Sequence, residues 1–148
     1  MKHIKLFEAF VNEANVDAKA FEDEFASVLF TVEERIGKKL NNKQIAQLII
    51  YAFEETCKLN KFKEVSGLLP TALIKVGVQF DPDFKRGYAA AEARGFAVNM
   101  IDATGGTWQG IIQCFEALFI TMANVPGRKA KLMLSHLTSW FKASADYR

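Results

Sequence analysis

Ser135, His136 and Ser139 come nearest, by type and spacing, to a chemical constellation in this chain, and the chemistry would be hydrolysis. Residues three apart on a helix share a face, so His136 can reach Ser139, whereas adjacent Ser135 cannot face it. Asp102 or Asp146 would complete a triad by arithmetic alone. No G-x-S-x-G elbow surrounds Ser66, Ser135 or Ser139. Cys57 and Cys114 are nucleophiles by residue type only, and their apolar helical surroundings predict reduced core cysteines. Metal chemistry finds no better footing. His3 and His136 are the only histidines, and neither follows an acid by three, so the Glu33-Glu34 and Glu54-Glu55 doublets lack the helical di-metal spacing. Asp81-x-Asp83 lacks the glycine and distal glutamate of a calcium loop. Gly105-Gly106 stands before a helix and offers N–H groups to an anion, but neither a P-loop nor a dinucleotide fingerprint is present. The sequence therefore assigns no catalytic, cofactor-binding or metal-ligating residue. An enzyme of unfamiliar class ranks third among the readings. It would need a polar pocket near His136, Asp102 or Glu116.

Phosphate contact is the next chemistry to weigh. Arg128, Lys129 and Lys131 form the best basic cluster, with Lys142 and Arg148 further on. Tyr88, Trp108, Trp140 and Tyr147 could stack on bases, but they are not interleaved with the cations in one track. The net charge of +2 is too weak to indicate a nucleic-acid module by itself. The helix after Gly105-Gly106 is too apolar to lie in a DNA groove. A small regulatory or nucleic-acid-binding protein is the second reading.

The elements that position these residues read as helices. One domain is expected for 148 residues, and an apolar fraction of 50% permits a full core. Ile4, Phe7, Phe10 and Val11 recur at helical spacing, giving an amphipathic helix over residues 1–13. Asn12, Asn15 and Asp17 interrupt it, and a separate helical domain is expected over residues 17–148. Within that domain Phe21, Phe25, Val28, Leu29, Val32 and Ile36 share one face, and Gly37 ends the helix. Asn41 or Asn42 caps the next, whose stripe is Ile45, Leu48, Ile49, Ala52 and Phe53. Pro70 opens a short helix over 71–76. Residues 72–80 alternate briefly, but a lone strand has no partner, so helix or loop is preferred. Asp81-Pro82 predicts a helix over 83–100, with Gly87 and Gly95 facing one close neighbour. A central apolar helix follows over about 107–124, then Pro126-Gly127, then a last helix over about 128–143 carrying Leu132, Met133, Leu137, Trp140 and Phe141. The fold class is all-α, a compact bundle of five to seven helices. No apolar run is long enough to span a membrane.

The opening string, Met1-Lys2-His3-Ile4-Lys5-Leu6-Phe7-Glu8-Ala9-Phe10-Val11-Asn12-Glu13, resembles a leader common in proteins of large tailed bacteriophages of the T4-like kind. Similar openings occur in proteins of some marine bacteria. In the phage families some such leaders belong to head or scaffold-associated proteins. Their maturation protease favours an apolar residue, any residue, then Glu, a pattern that Val11-Asn12-Glu13 resembles. The resemblance implies a phage-encoded protein located in the host cytoplasm or the virion. With no catalytic constellation and thirteen phenylalanines, the first reading is a non-catalytic protein acting by contact with a protein partner or its own copies. Phe7, Phe10, Trp108 and Trp140 are the expected anchors. Arg128, Lys129 and Lys131 are the expected phosphate contacts of the second reading.

Overall fold

The computed structural model describes the backbone of residues 2–59, 62, 65, 67–81, 84, 86–100 and 107–146, and the side chains of those between 19 and 142. Six helices lie among these residues: α1 (Lys2–Ile36), α2 (Asn42–Leu59), α3 (Leu69–Lys75), α4 (Gly87–Met100), α5 (Trp108–Thr121) and α6 (Gly127–Asp146). No strand occurs among them. The all-α expectation holds, and the alternating stretch after Ala72 resolves into the end of α3 and a turn at Gly77, whose φ is +80°.

Helix α1 is longer than the periodicity predicts. The helices expected over residues 1–13 and after Asp17 form one run from Lys2 to Ile36. No proline or glycine occurs before Gly37, and Asn or Asp inside a helix costs only about 0.7 kcal/mol. A polar interruption of the apolar stripe is therefore not enough to end the helix. Gly37 does end it. At φ +83° it takes the left-handed conformation, and its N–H donates to the Glu33 carbonyl at 2.8 Å. The Glu33 carboxylate accepts from the Leu40 N–H at 2.9 Å, which fixes the path into α2.

Asn41 starts α2 with a reciprocal cap. Its side-chain oxygen accepts from the Gln44 N–H at 2.9 Å, while the Gln44 side chain accepts from the Asn41 N–H at 3.0 Å. Thr107 caps α5 in the simpler way, accepting from the Gly110 N–H at 3.1 Å. Helix α5 ends at Thr121, and the chain then turns through Asn124 at φ +56°, the left-handed region that asparagine tolerates better than most residues.

Helix α4 lies chiefly on α2 and against α1, α5 packs on α1, α2 and α6, and α3 bridges α2 to α6. Alanines allow the close approach of α4. Ala89, Ala93 and Ala97 recur every fourth residue with Phe96 beside them, and all four are buried. Gly87 and Gly95, expected to face that neighbour, are exposed instead, with open space where a side chain would go. The eight-residue spacing placed them together but left open which face was buried.

Most phenylalanines form the interior. Phe25, Phe96, Phe21, Phe115, Phe53, Trp108, Phe62 and Phe141 make a continuous chain of ring contacts through α1, α4, α5, α2 and α6. Most meet edge to face, the geometry that aligns ring edges with π faces. Trp108 and Phe141 are stacked, 4.7 Å between centroids. No helix among the described residues is long and apolar enough to cross a membrane.

Candidate interaction surface

The structure disperses the anchors expected from the sequence. Trp108 is packed in the core, 8% exposed, with its indole N–H donating to Thr138 Oγ1 at 3.3 Å. Its position at the start of α5 points the ring at Phe53, Phe62 and Phe141. Trp140 is half-buried beneath the Lys75 ammonium, 5.2 Å from its ring centre. The side chains of Phe7 and Phe10 lie outside the described residues. Of the expected phosphate contacts, Arg128 and Lys131 are exposed on α6, whereas Lys129 is half-buried and its Nζ approaches Gly77. The chemical candidates are separate too. Cys57 and Cys114 are buried, and burial first and the Glu54 charge second hold the Cys57 thiol well above its ordinary range. No group of three or more metal-ligating side chains occurs among the described residues.

The best-built feature lies where α2 holds the segment leading into α4. Buried Gln47 pairs with the Asp81 backbone through both amide atoms. Its Oε1 accepts from the Asp81 N–H at 2.9 Å, and its Nε2 donates to the Asp81 carbonyl at 3.1 Å. Gln44, already used in the α2 cap, donates to Asp81 Oδ2 at 2.9 Å. Asp81 was expected to cap a helix beginning at 83. Instead it is tied to α2, and α4 begins at Gly87. A turn later Arg86 Nη2 meets Glu54 Oε2 at 2.9 Å, and its guanidinium lies 4.7 Å from the Tyr51 ring centre. Tyr51 stacks on Phe84, and its partial burial raises the phenol pKa against the opposing Arg86 charge.

This clasp ties the segment before α4 to α2, and the start of α4 lies beside the end of α1, where apolar side chains reach the surface. Tyr88 is 56% exposed and carries the Arg35 guanidinium 4.9 Å from its ring centre. Ile36 is 38% exposed and Phe30 57% exposed. Two concavities share Lys38. One, of about 350 Å³, is lined by Ile36, Phe84, Tyr88 and Ala89 among others. The other, of about 290 Å³, is lined by Phe30, Gly37, Lys39 and the two glutamates Glu33 and Glu34. Large apolar side chains beside apolar hollows with a charged border are the usual makings of a protein contact.

Sequence reasoning did not single out the exposed Phe30, gave Tyr88 only as a ring that could stack on bases, and set Ile36 on the same face as Phe21, Phe25, Val28 and Val32. For Phe30 a signal existed: it stands two residues from both Val28 and Val32, about 200° round the helix from that buried stripe. A phenylalanine there has to meet solvent or a partner. For Tyr88 the sequence held no such signal, because its exposure depends on which face of α4 the alanines bury. No protein-family model, curated protein or solved structure matches this chain.

Proposed function

We propose that this chain is a non-catalytic, phage-encoded protein that works by protein–protein contact in the virion or its assembly. The observation that carries the reading is the surface around Lys38. Exposed Phe30, Ile36 and Tyr88 adjoin two hollows there, and the Gln47–Asp81 clasp ties the segment leading to Tyr88 onto α2. Burying such rings in a partner's pocket contributes far more than the charged residues around them. The leader-like opening string supports the setting, and the contact surface supports the mode of action. Phe30, Ile36 and Tyr88 replace Trp108 as the anchors, since the Trp108 ring is already packed against Phe141. Mass spectrometry of purified particles and of assembly intermediates tests the proposal. The protein is expected in one or both. Its absence from both contradicts the reading.

A further inference from the structure

Helix α6 carries cations where they oppose its own stability. Aligned peptide dipoles leave a helix N-terminus positive, so acids stabilise the first turn and bases disfavour it. The first turn of α6 holds no acid. It carries Arg128 and Lys129, with Lys131 just beyond, and no acidic residue follows before Asp146. No ion pair among the described residues engages Arg128, Lys129, Lys131 or Lys142. Neither the helix dipole nor an ion pair among the described residues therefore accounts for Arg128 and Lys131.

Their placement is ordered. At 3.6 residues per turn, Arg128, Lys131, Ser135, Ser139 and Lys142 fall within about 80° of one another, along a stripe about 21 Å long. All five are exposed. Lys131, Ser135, Ser139 and Lys142 form one wall of a groove of about 330 Å³, with Gln109 and Glu116 of α5 on the other. The groove shares no lining residue with the hollows around Lys38.

We infer that this groove binds the phosphate backbone of duplex DNA without reading its sequence. Three cations and two hydroxyls along one helix suit a row of phosphate oxygens, with Ser135 and Ser139 donating between the charges. Among the described residues no aromatic ring lines the groove, so unpaired bases have no stacking platform, and this favours a duplex over a single strand. The half-buried Glu116 carboxylate opposes the phosphates and sets a modest affinity.

Fluorescence anisotropy of the full chain with a short labelled duplex, titrated from low to physiological salt, tests the inference. Phosphate contacts from Lys131 and Lys142 in the groove and from Arg128 beyond its end give a slope of log K against log salt of about −2.7. Lys131→Gln and Lys142→Gln each weaken binding and reduce the slope by about 0.9, and Lys131→Arg restores it. Glu116→Gln tightens binding, a change in the opposite sense that a merely structural role would not produce. Lys43→Gln, which removes a charge outside the groove, leaves binding unchanged. The inference is overturned by any of three results: no salt-dependent binding, Lys→Gln variants that bind like the parent, or binding to single strands or polyglutamate as tight as to the duplex.

Discussion

Gln47 pairs with the Asp81 backbone much as a neighbouring strand would, although the fold has no sheet among its described residues. A buried amide that satisfies both a donor and an acceptor is costly to remove. Gln47→Ala is expected to destabilise the protein by about 1–3 kcal/mol, read as a lower urea midpoint. Nothing in the sequence marked this role. On periodicity alone Gln44 and Gln47 are polar positions in an amphipathic helix, and their partner lies 34 to 37 residues away. Cys57 was easier to read, because its apolar helical setting already implied burial. Its thiol is held neutral by desolvation and by the nearby Glu54 charge. In native protein above neutral pH, Cys57 should resist iodoacetamide until the chain unfolds, whereas denatured protein reacts at once. A raised folded-state pKa favours the native state below the ordinary thiol range. That advantage falls as the pH rises and the unfolded thiol ionises. Alkylation of Cys57 in native protein at the denatured rate would contradict the buried position.

Helix boundaries followed local chemistry wherever the chain carries a strong stop or start. Gly37 stops α1, the Asn41–Gln44 pair starts α2, and Thr107 starts α5. Weaker cues misled. Asn12, Asn15 and Asp17 break a hydrophobic stripe without breaking a helix, and Asp81 serves α2 more than the helix after it. The α4 glycines show why a spacing alone cannot settle a face. Both lie on the exposed side, so their flexibility is unrewarded by packing. Gly95→Ala is expected to stabilise the protein by about 0.5–1 kcal/mol, measured as a higher urea midpoint at unchanged slope. A loss of stability would mean that Gly95 is packed after all.

Among the described residues, an aromatic interior lies apart from the surface around Lys38 and from the groove beside α6. Hydrophobic periodicity was enough to predict a helical bundle, because stripes at 3.6-residue spacing can be buried only against one another. It could not place Trp108 or Tyr88, since whether those rings meet solvent depends on how helices distant in sequence meet. Trp108 is buried where it was expected as a surface anchor, whereas Phe30 is exposed as its place opposite the Val28 and Val32 stripe implies. Phe115 contacts both Phe21 and Phe53 at the middle of the ring chain. Phe115→Ala should cost about 3–5 kcal/mol, whereas Phe30→Ala should change stability by less than about 0.5 kcal/mol. Denaturant titration of the two variants compares them directly. That contrast leaves Phe30 open to alteration without loss of the fold, and the central claim can be tested through it. The decisive measurement is incorporation: particles assembled with the wild-type chain and with a Phe30→Glu, Tyr88→Glu variant, each quantified by mass spectrometry. The account predicts that the variant folds with near-normal stability and is depleted from particles and assembly intermediates. Incorporation at the wild-type level would show that the surface around Lys38 is not what the protein uses to engage its partner.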